Sequence, residues 1–178
     1  FAGHYGEQLD KKSLARLLLI YQFTLNTHIR EPQSLYLHRQ PDGLLAFGPL
    51  WDFDTAFGVA QGAMPFSGNI DEDVLNGNQP GSRFFRHLLQ DKQLRKLLKQ
   101  EWKAFRQQGL GELRSRMSAY FDLLEDTGAY HRDKQRWSAL QSSLPGQAEK
   151  PLREHEHAMN LWLDQRAGKM DQLLKQWH

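Results

Sequence analysis

The feature that most restricts the fold is the stretch from Arg83 to the carboxyl terminus, which carries helical periodicity almost throughout. Apolar residues recur there every three or four positions, as in amphipathic helices. The pattern predicts helices over residues 83–90, 92–107, 111–126, 130–140 and 151–177. The apolar positions predicted to form the core of these helices are Leu88, Leu89, Leu94, Leu97, Leu98, Trp102, Phe105, Leu161, Trp162, Leu173 and Leu174.

The amino-terminal part predicts one further helix and a small hairpin. Asp10 is a suitable N-cap for an apolar pattern that begins at Leu14, and this helix is expected to end between residues 26 and 29, before Pro32. Two short apolar runs, "SLYLHR" and "LLAFGPL", flank the turn sequence "QPDG" and indicate a β-hairpin. Residues 59–82 predict a long irregular loop. The expected fold class is therefore mainly α with a small β-hairpin.

Composition excludes several classes of protein. The 178 residues, 39% hydrophobic and 25% charged, are enough for a single domain with its own core. A net charge of +2, spread without a basic stripe, argues against nucleic-acid binding. The chain has no cysteine, which excludes thiolate catalysis and disulfides. The longest apolar run, Leu17 to Tyr21, is too short for a transmembrane segment. We also expect the protein to be a monomer.

The segment "FGPLWDFDTAFG", residues 47–58, places Asp52 and Asp54 in an otherwise apolar run. In an extended segment, residues two apart point to the same side, so both carboxylates would face one way and Phe53 the other. Oxygen ligands of this kind suit Mg²⁺. The alternative is a solvent-facing turn that closes the hairpin. The flanking aromatic residues favour the metal site, because they would give the carboxylates a rigid apolar base.

Other polar clusters give weaker signals. The acidic run "NIDED", residues 69–73, lacks the glycine and glutamate that an EF-hand loop requires, and a solvated loop is the simplest interpretation. His155 and His157 lie two apart on a predicted helix and cannot share a metal ion. His28 lies at the end of the first helix, near the expected position of Asp52, and could belong to the same site. The alternative is that it only interacts with the dipole of this helix. No P-loop or nucleophile-elbow motif is present.

Four segments in this order resemble the carboxy-terminal portion of the spore-coat CotH kinase family: "LARLLLIYQFTLNTH", "SLYLHRQPDGLLAFGPLWDFDTAFG", "RFFRHLLQDKQLRKLLKQEWKAFR" and "LWLDQRAGKMDQLL". The likeness covers residues 5 to 174. Its most specific part is W-D-x-D-x-x-x-G, residues 51–58, directly after the Y-L-x-R hairpin.

The resemblance implies a fold like the carboxy-terminal lobe of an atypical protein kinase. Family members bind ATP with Mg²⁺ and phosphorylate serine or threonine of proteins, among them coat proteins. By this resemblance, Asp52 matches the metal-binding aspartate of the DFG motif and Asp54 its partner. Asn26 and Ser34 match the first and last positions of an N-x-D-x-x-x-x-[NS] element that helps to bind the nucleotide and a second metal ion.

Two departures from the family pattern bear on activity. His28 occupies the position of the family's catalytic aspartate, and one extra residue separates it from Ser34; Glu31 is a substitute only if the loop rearranges. The lobe that carries a kinase's phosphate-binding lysine and glycine-rich cover is not in this chain, which opens at Phe1 like the middle of a protein. We therefore expect a fragment that is inactive by itself.

Two other functions stay open at this point. A catalytically dead relative would bind a partner or serve a structural role at a surface, which His28 favours. A calcium- or carbohydrate-binding helical domain would hold an ion at Asp52, Asp54, Asp71 and Asp73 without a nucleotide. Neither the substrate nor the cellular compartment can be read from the sequence.

Overall fold

A computed structural model describes residues 5–32, 34–39, 41, 43–59, 70–137 and 151–177. The chain divides into two compact units, which are described separately: Phe1–Ala104 with Gln165–His178, and Phe105–Asp164. The expectation of a single domain stays a prediction. The helices are α1 Lys11–Thr24, α2 Pro80–Leu88, α3 Lys92–Ala104, α4 Leu110–Asp126, α5 Ala129–Arg136 and α6 Leu152–Gln176; the strands are β1 Leu37–Arg39 and β2 Leu45–Phe47. The fold is thus mainly α with a small hairpin, as predicted.

Helix α1 begins where the sequence predicts. Asp10 is its N-cap, and Oδ1 of Asp10 accepts hydrogen bonds from the amides of Lys12 at 2.8 Å and Ser13 at 3.2 Å. Most of the helix from Leu14 onward is buried, with Leu14 and Leu18 fully inaccessible to solvent, and it packs against α3. It ends at Thr24, slightly earlier than expected, because Leu25 adopts a left-handed conformation with φ of 57°.

The hairpin is antiparallel and attached to the start of α1. Its register pairs Leu37 with Phe47 and Arg39 with Leu45, around the predicted turn. The amide of Phe47 donates to Oγ of Ser13 at 3.0 Å, and the amide of Leu45 donates to the carbonyl of Gln8, just before α1, at 2.7 Å. These bonds fix the position from which the chain continues into the segment that contains Asp52 and Asp54.

Helices α2 and α3 also belong to the first unit, as does the part of α6 from Gln165 onward. Helix α2 begins with Pro80 at its first turn, and the amide of Gly81 donates to the carbonyl of Arg30 at 2.7 Å. This bond attaches α2 to the loop that follows α1. Asp91 caps α3, since its Oδ1 accepts a hydrogen bond from the amide of Gln93 at 2.7 Å. Within the loop predicted over residues 59–82, residues 60–69 lie outside the described part.

The second unit contains α4 and α5. The predicted helix over residues 92–107 is α-helical as far as Ala104, and residues 105–109 form a π-helical stretch. Helix α5 ends at Arg136 with Trp137 as its C-cap, and residues 138–140 of the helix predicted to residue 140 lie outside the described residues. In this unit the guanidinium of Arg153 pairs with the carboxylates of Asp122 and Glu125.

Most of the predicted core residues are buried, with exceptions that follow from helical geometry. Leu161 is 51% exposed, so its assignment to the core is wrong, whereas its neighbour Trp162 is 2% exposed. Leu97 and Phe105 are half-buried. Among the helices of the described ranges, none combines the length and the apolar character that crossing a membrane requires.

Candidate metal centre

The loop after α1 is organised by the buried side chain of Asn26. Its Oδ1 accepts a hydrogen bond from the amide of His28 at 3.0 Å and so caps a short 3-10 turn, Thr27–Ile29. Its Nδ2 donates to the carbonyl oxygen of Asp52 at 2.9 Å. Asn26 is fully inaccessible to solvent, so both ends of its amide are used inside the protein. One side chain thus joins the loop that bears His28 to the segment that bears Asp52.

Asp52 is held from a second side by Ser34, whose Oγ donates a hydrogen bond to Oδ2 of Asp52 at 2.9 Å. The backbone φ of Asp52 is 63°, in the left-handed region, and Asp54 lies in a turn. The extended conformation expected for this segment is therefore wrong at Asp52. Local sequence favours an extended chain after a strand, but bonds from two distant residues, Asn26 and Ser34, hold a different conformation.

Positive φ angles concentrate around this centre. Four non-glycine residues of the described chain have one, and all lie in the segments that form or flank the centre: Leu25, Ser34, Asp52 and Phe57. Each such conformation costs of order 1 kcal/mol and persists only where the surroundings enforce it. The backbone amide of Phe57 donates to the carbonyl of Thr24, at the end of α1. Strain of this kind is typical of functional sites.

The apolar support of the centre is partly as expected. The ring of Phe53 packs edge-on against that of Tyr21, with 5.2 Å between centroids. Tyr21 is buried, and its pKa is raised, first by burial and second by the charge of Asp52. Trp51 is 60% exposed, and its ring contacts that of Tyr36. Trp51 therefore does not form part of a buried base.

A possible ligand set for a metal ion is present in this arrangement. One ring nitrogen of His28 and one carboxylate oxygen each of Asp52 and Asp54 lie within 4.8 Å of one another. Nδ1 of His28 is 3.4 Å from Oδ2 of Asp52. The structure thus brings together the five residues that the resemblance assigns to the site: Asn26 and Ser34 bond to Asp52, and His28, Asp52 and Asp54 supply the converging atoms.

The acidic run at residues 70–73 is part of the scaffold. Each of its carboxylates faces a partner: Asp71 lies 3.5 Å from Nζ of Lys169, Glu72 pairs with the guanidinium of Arg30, and Oδ1 of Asp73 accepts from the side chain of Gln22 at 2.9 Å. Asp71 and Asp73 are not in the group formed by Asp52 and Asp54. The structure therefore does not support a shared ion at these four aspartates.

Arg166 is a buried residue that holds the end of α1, and the sequence analysis missed it. It is fully inaccessible to solvent, and its guanidinium donates to the carbonyls of Gln22 and Phe23 in the last turn of α1 and, at 2.8 Å, to that of Ile70. Burial lowers the pKa of Arg166 to about 10, against an opposite effect of the acidic run. Its position between Leu163 and Met170, on the buried face of α6, is the signal that could have identified it.

The remaining predicted candidates lie elsewhere. His155 and His157 are on α6, where the ring of His155 contacts that of Tyr130 at 6.2 Å between centroids, and neither joins a metal-binding group in the described chain. Glu31 is exposed and, with Thr27, His28, Arg30 and Gln79, lines a cavity of about 300 Å³ beside the loop.

The fold and the centre define a helical protein whose first helix and hairpin present a histidine and two aspartates, a ligand set suited to a divalent cation. Comparison with protein families goes further: the family described as CotH kinase protein matches residues 1–170. The chain belongs to the CotH kinase family. No curated protein and no solved structure matches it.

Proposed function

We propose that this chain supplies the metal-binding and substrate-side part of a CotH-family protein kinase, which binds Mg²⁺ with ATP and transfers the terminal phosphate to serine or threonine of a protein. The observation that carries the proposal is the convergence of Asn26, His28, Ser34, Asp52 and Asp54, which come from three separate stretches of sequence. The family match supports a kinase-like function in general.

Asp52 and Asp54 are the residues that would hold the metal. Their oxygens suit a hard cation such as Mg²⁺, which commonly takes one or two carboxylates and completes its shell with water and phosphate oxygens. In phosphoryl transfer, the bound metal neutralises the charge that develops on the phosphate oxygens. Asp54 is exposed, and Asp52 is 33% exposed, so both carboxylates are accessible to a nucleotide.

Asn26 and Ser34 contribute by positioning. Both polar atoms of the Asn26 side chain are used within the protein, so in this arrangement Asn26 orients the loop and Asp52. Oγ of Ser34 uses its hydrogen in the bond to Asp52, which leaves the lone pairs of its oxygen for a second cation or a phosphate-bound water. These roles agree with the family positions that the two residues match.

The substrate hydroxyl would approach from the cavity beside His28. His28, Thr27 and Glu31 line this space, whose volume of about 300 Å³ has room for a side chain of the substrate. A neutral imidazole at the family's aspartate position can accept a proton, but it adds no negative charge to the metal site. Catalysis of phosphoryl transfer depends mostly on positioning and electrostatics. We therefore expect that His28, in place of the family's aspartate, lowers the rate of phosphate transfer more than it lowers the affinity for the nucleotide.

His28 also supports a second candidate function, that of a catalytically inactive CotH-like module with a binding or surface-structural role. Such a module would keep the metal and nucleotide and lose phosphate transfer, because the proton-accepting carboxylate is replaced. For either function, we propose that the chain requires the amino-terminal lobe of the parent protein, which would supply the phosphate-binding lysine. A coat or surface protein is the proposed partner.

The test is ATP binding by the full-length parent protein, measured by calorimetry with and without Mg²⁺. We expect Mg²⁺-dependent binding that Asp52→Asn abolishes, since asparagine keeps the shape and tolerates the left-handed backbone but removes the charge. Asp71→Asn is the matched control, because Asp71 lies in the neighbouring acidic run and faces Lys169. Absence of binding at millimolar ATP would contradict the proposal, and binding without transfer to any serine or threonine substrate would favour the inactive module.

A further inference from the structure

The imidazole of His28 contains a polar atom whose environment is incomplete. Its Nδ1 is buried, and no hydrogen bond satisfies it among the residues that the structure describes. Oδ2 of Asp52 lies 3.4 Å from Nδ1, beyond a good hydrogen bond, and already accepts the hydroxyl of Ser34 at 2.9 Å. A buried polar atom left without a partner costs about 1–3 kcal/mol, so its presence requires an explanation such as a bound ion.

The arrangement around Nδ1 fits a metal ion. One ring nitrogen of His28 and one carboxylate oxygen each of Asp52 and Asp54 lie within 4.8 Å of one another, and Nδ1 is the nitrogen that faces Asp52. An ion bound at about 2.1–2.3 Å holds its ligand atoms roughly 3–4.6 Å apart, so small rotations of the exposed Asp54 side chain would complete the set. The distance of 3.4 Å between Nδ1 and Oδ2 falls inside this range.

We propose that His28 is itself a ligand of the metal centre, through Nδ1, and that the centre therefore prefers a first-row transition ion such as Mn²⁺ to Mg²⁺. This inference rests on the metal site of the proposed function and names its ion. Mg²⁺ prefers a shell of oxygen atoms and water, whereas an imidazole nitrogen favours first-row transition ions, and Mn²⁺ is the one among them that carboxylate ligands also suit. One nitrogen with two carboxylates is a mixed set that suits Mn²⁺ well.

The proposal changes the role of His28. When Nδ1 is a ligand, the ring carries its proton on Nε2, so the metal-bound imidazole is a hydrogen-bond donor and not a proton acceptor. His28 then contributes a neutral ligand where the family pattern has a carboxylate. The centre keeps its capacity to bind a metal and loses the general base, and any phosphate transfer relies on positioning and on the charge of the cation.

The experiment measures metal binding by the 178-residue chain directly, without reference to activity. Calorimetric titrations with MnCl₂ and MgCl₂ give the selectivity, and electron spin-echo spectroscopy of bound Mn²⁺ detects a coordinated imidazole nitrogen. We expect Mn²⁺ to bind about tenfold more tightly than Mg²⁺ or better, with a nitrogen coupling in the spectrum. His28→Ala is expected to remove the coupling and most of the selectivity, and His28→Asp to strengthen Mg²⁺ binding.

His38→Ala is the matched control, because His38 is an exposed histidine on β1 whose ring bonds to the carbonyl of Gly48. It should leave both measurements unchanged. Mn²⁺ binding without a nitrogen coupling, or with a selectivity that His28→Ala does not change, would overturn the role of His28 while leaving the aspartate site intact. If neither ion binds at millimolar concentration, the inference and the metal site of the proposed function both fail. The spectrum of the unaltered chain decides the matter even if a variant does not fold.

Discussion

The side-chain amide of Asn26 donates a hydrogen bond to the backbone carbonyl of Asp52 at 2.9 Å, across 26 positions of sequence. The other end of the same amide accepts from the backbone amide of His28. Asn26 is fully buried, so water cannot replace either bond. The side chain of Asn26 therefore helps to fix the relative position of His28 and Asp52 while both of its polar atoms bond within the protein.

Replacing Asn26 by alanine should weaken both folding and metal binding. The carbonyl of Asp52 and the amide of His28 would lose their partner, and an unsatisfied buried polar group costs about 1–3 kcal/mol. Loss of a residue that orients metal ligands typically lowers metal affinity about 10–100-fold. Urea denaturation and calorimetry with Mn²⁺ measure the two effects. Asn78→Ala, at an exposed position, is the control, and equal behaviour of the two variants would contradict the assigned role.

A glycine determines how closely α2 approaches the loop that bears His28. A Cβ atom at Gly81 would lie 2.1 Å from the carbonyl oxygen of Ile29 and 2.7 Å from that of Arg30. Because both obstacles are backbone atoms, Gly81→Ala must displace α2 or the loop, and we expect a loss of about 2 kcal/mol or more in the free energy of unfolding. Urea denaturation gives the value.

The matched control for this prediction is Gly168→Ala on α6. Gly168 is exposed, and its added Cβ would meet nothing within 4 Å, so alanine should stabilise the protein by about 0.5–1 kcal/mol through its higher helix propensity. If the two substitutions change stability in the same direction, the close packing at Gly81 is not what limits the first one.

Much of the fold could be predicted from the sequence because its determinants are local. The N-cap at Asp10, the turn sequence between the two strands and the apolar spacing of α3 act over a few residues each, and the structure has the helix start, the paired strands and α3 in the expected parts of the sequence. Leu161 shows the limit of this reasoning. Leu161, Trp162 and Leu163 are consecutive, and at 100° per residue they cannot all face one core, so the pattern alone does not decide which is exposed.

The centre could be predicted in its residues but not in its geometry. The choice of Asp52 and Asp54 came from their setting among aromatic residues and from the resemblance, which are properties of the sequence. The left-handed backbone of Asp52 depends on hydrogen bonds from Asn26 and Ser34, which no local pattern encodes. Arg166 escaped notice for a similar reason, since its carbonyl partners lie more than 90 positions away.

The buried guanidinium of Arg166 should contribute more to stability than an exposed arginine with more ion pairs. Arg166→Met would leave the carbonyls of Gln22 and Phe23, at the end of α1, without their donor. Each buried acceptor left without its partner costs about 1–3 kcal/mol. Arg153→Met is the control: Arg153 pairs with three carboxylates but is exposed, and we expect a smaller loss. A larger loss from Arg153→Met in thermal or urea unfolding would refute this ranking.

Acid should weaken the attachment between the start of α1 and the start of α3. The carboxylate of Asp91 accepts a hydrogen bond from the hydroxyl of Tyr5 at 2.7 Å and lies 2.8 Å from Nζ of Lys11. Burial raises the pKa of Asp91, but the bonds from Lys11, Tyr5 and the amide of Gln93 outweigh it and lower the pKa from 3.8 to about 2.

A folded-state pKa below the unfolded value means that the carboxylate stabilises the protein above about pH 4 and that this contribution is lost as the pH falls towards 2. The shift corresponds to about 2 kcal/mol. Urea denaturation at a series of pH values between 5 and 2.5 should show the decline. Asp91→Asn keeps an acceptor for the cap of α3 but has no charge, so this part of the pH dependence should disappear in the variant. An unchanged slope in Asp91→Asn would show that other carboxylates cause the decline.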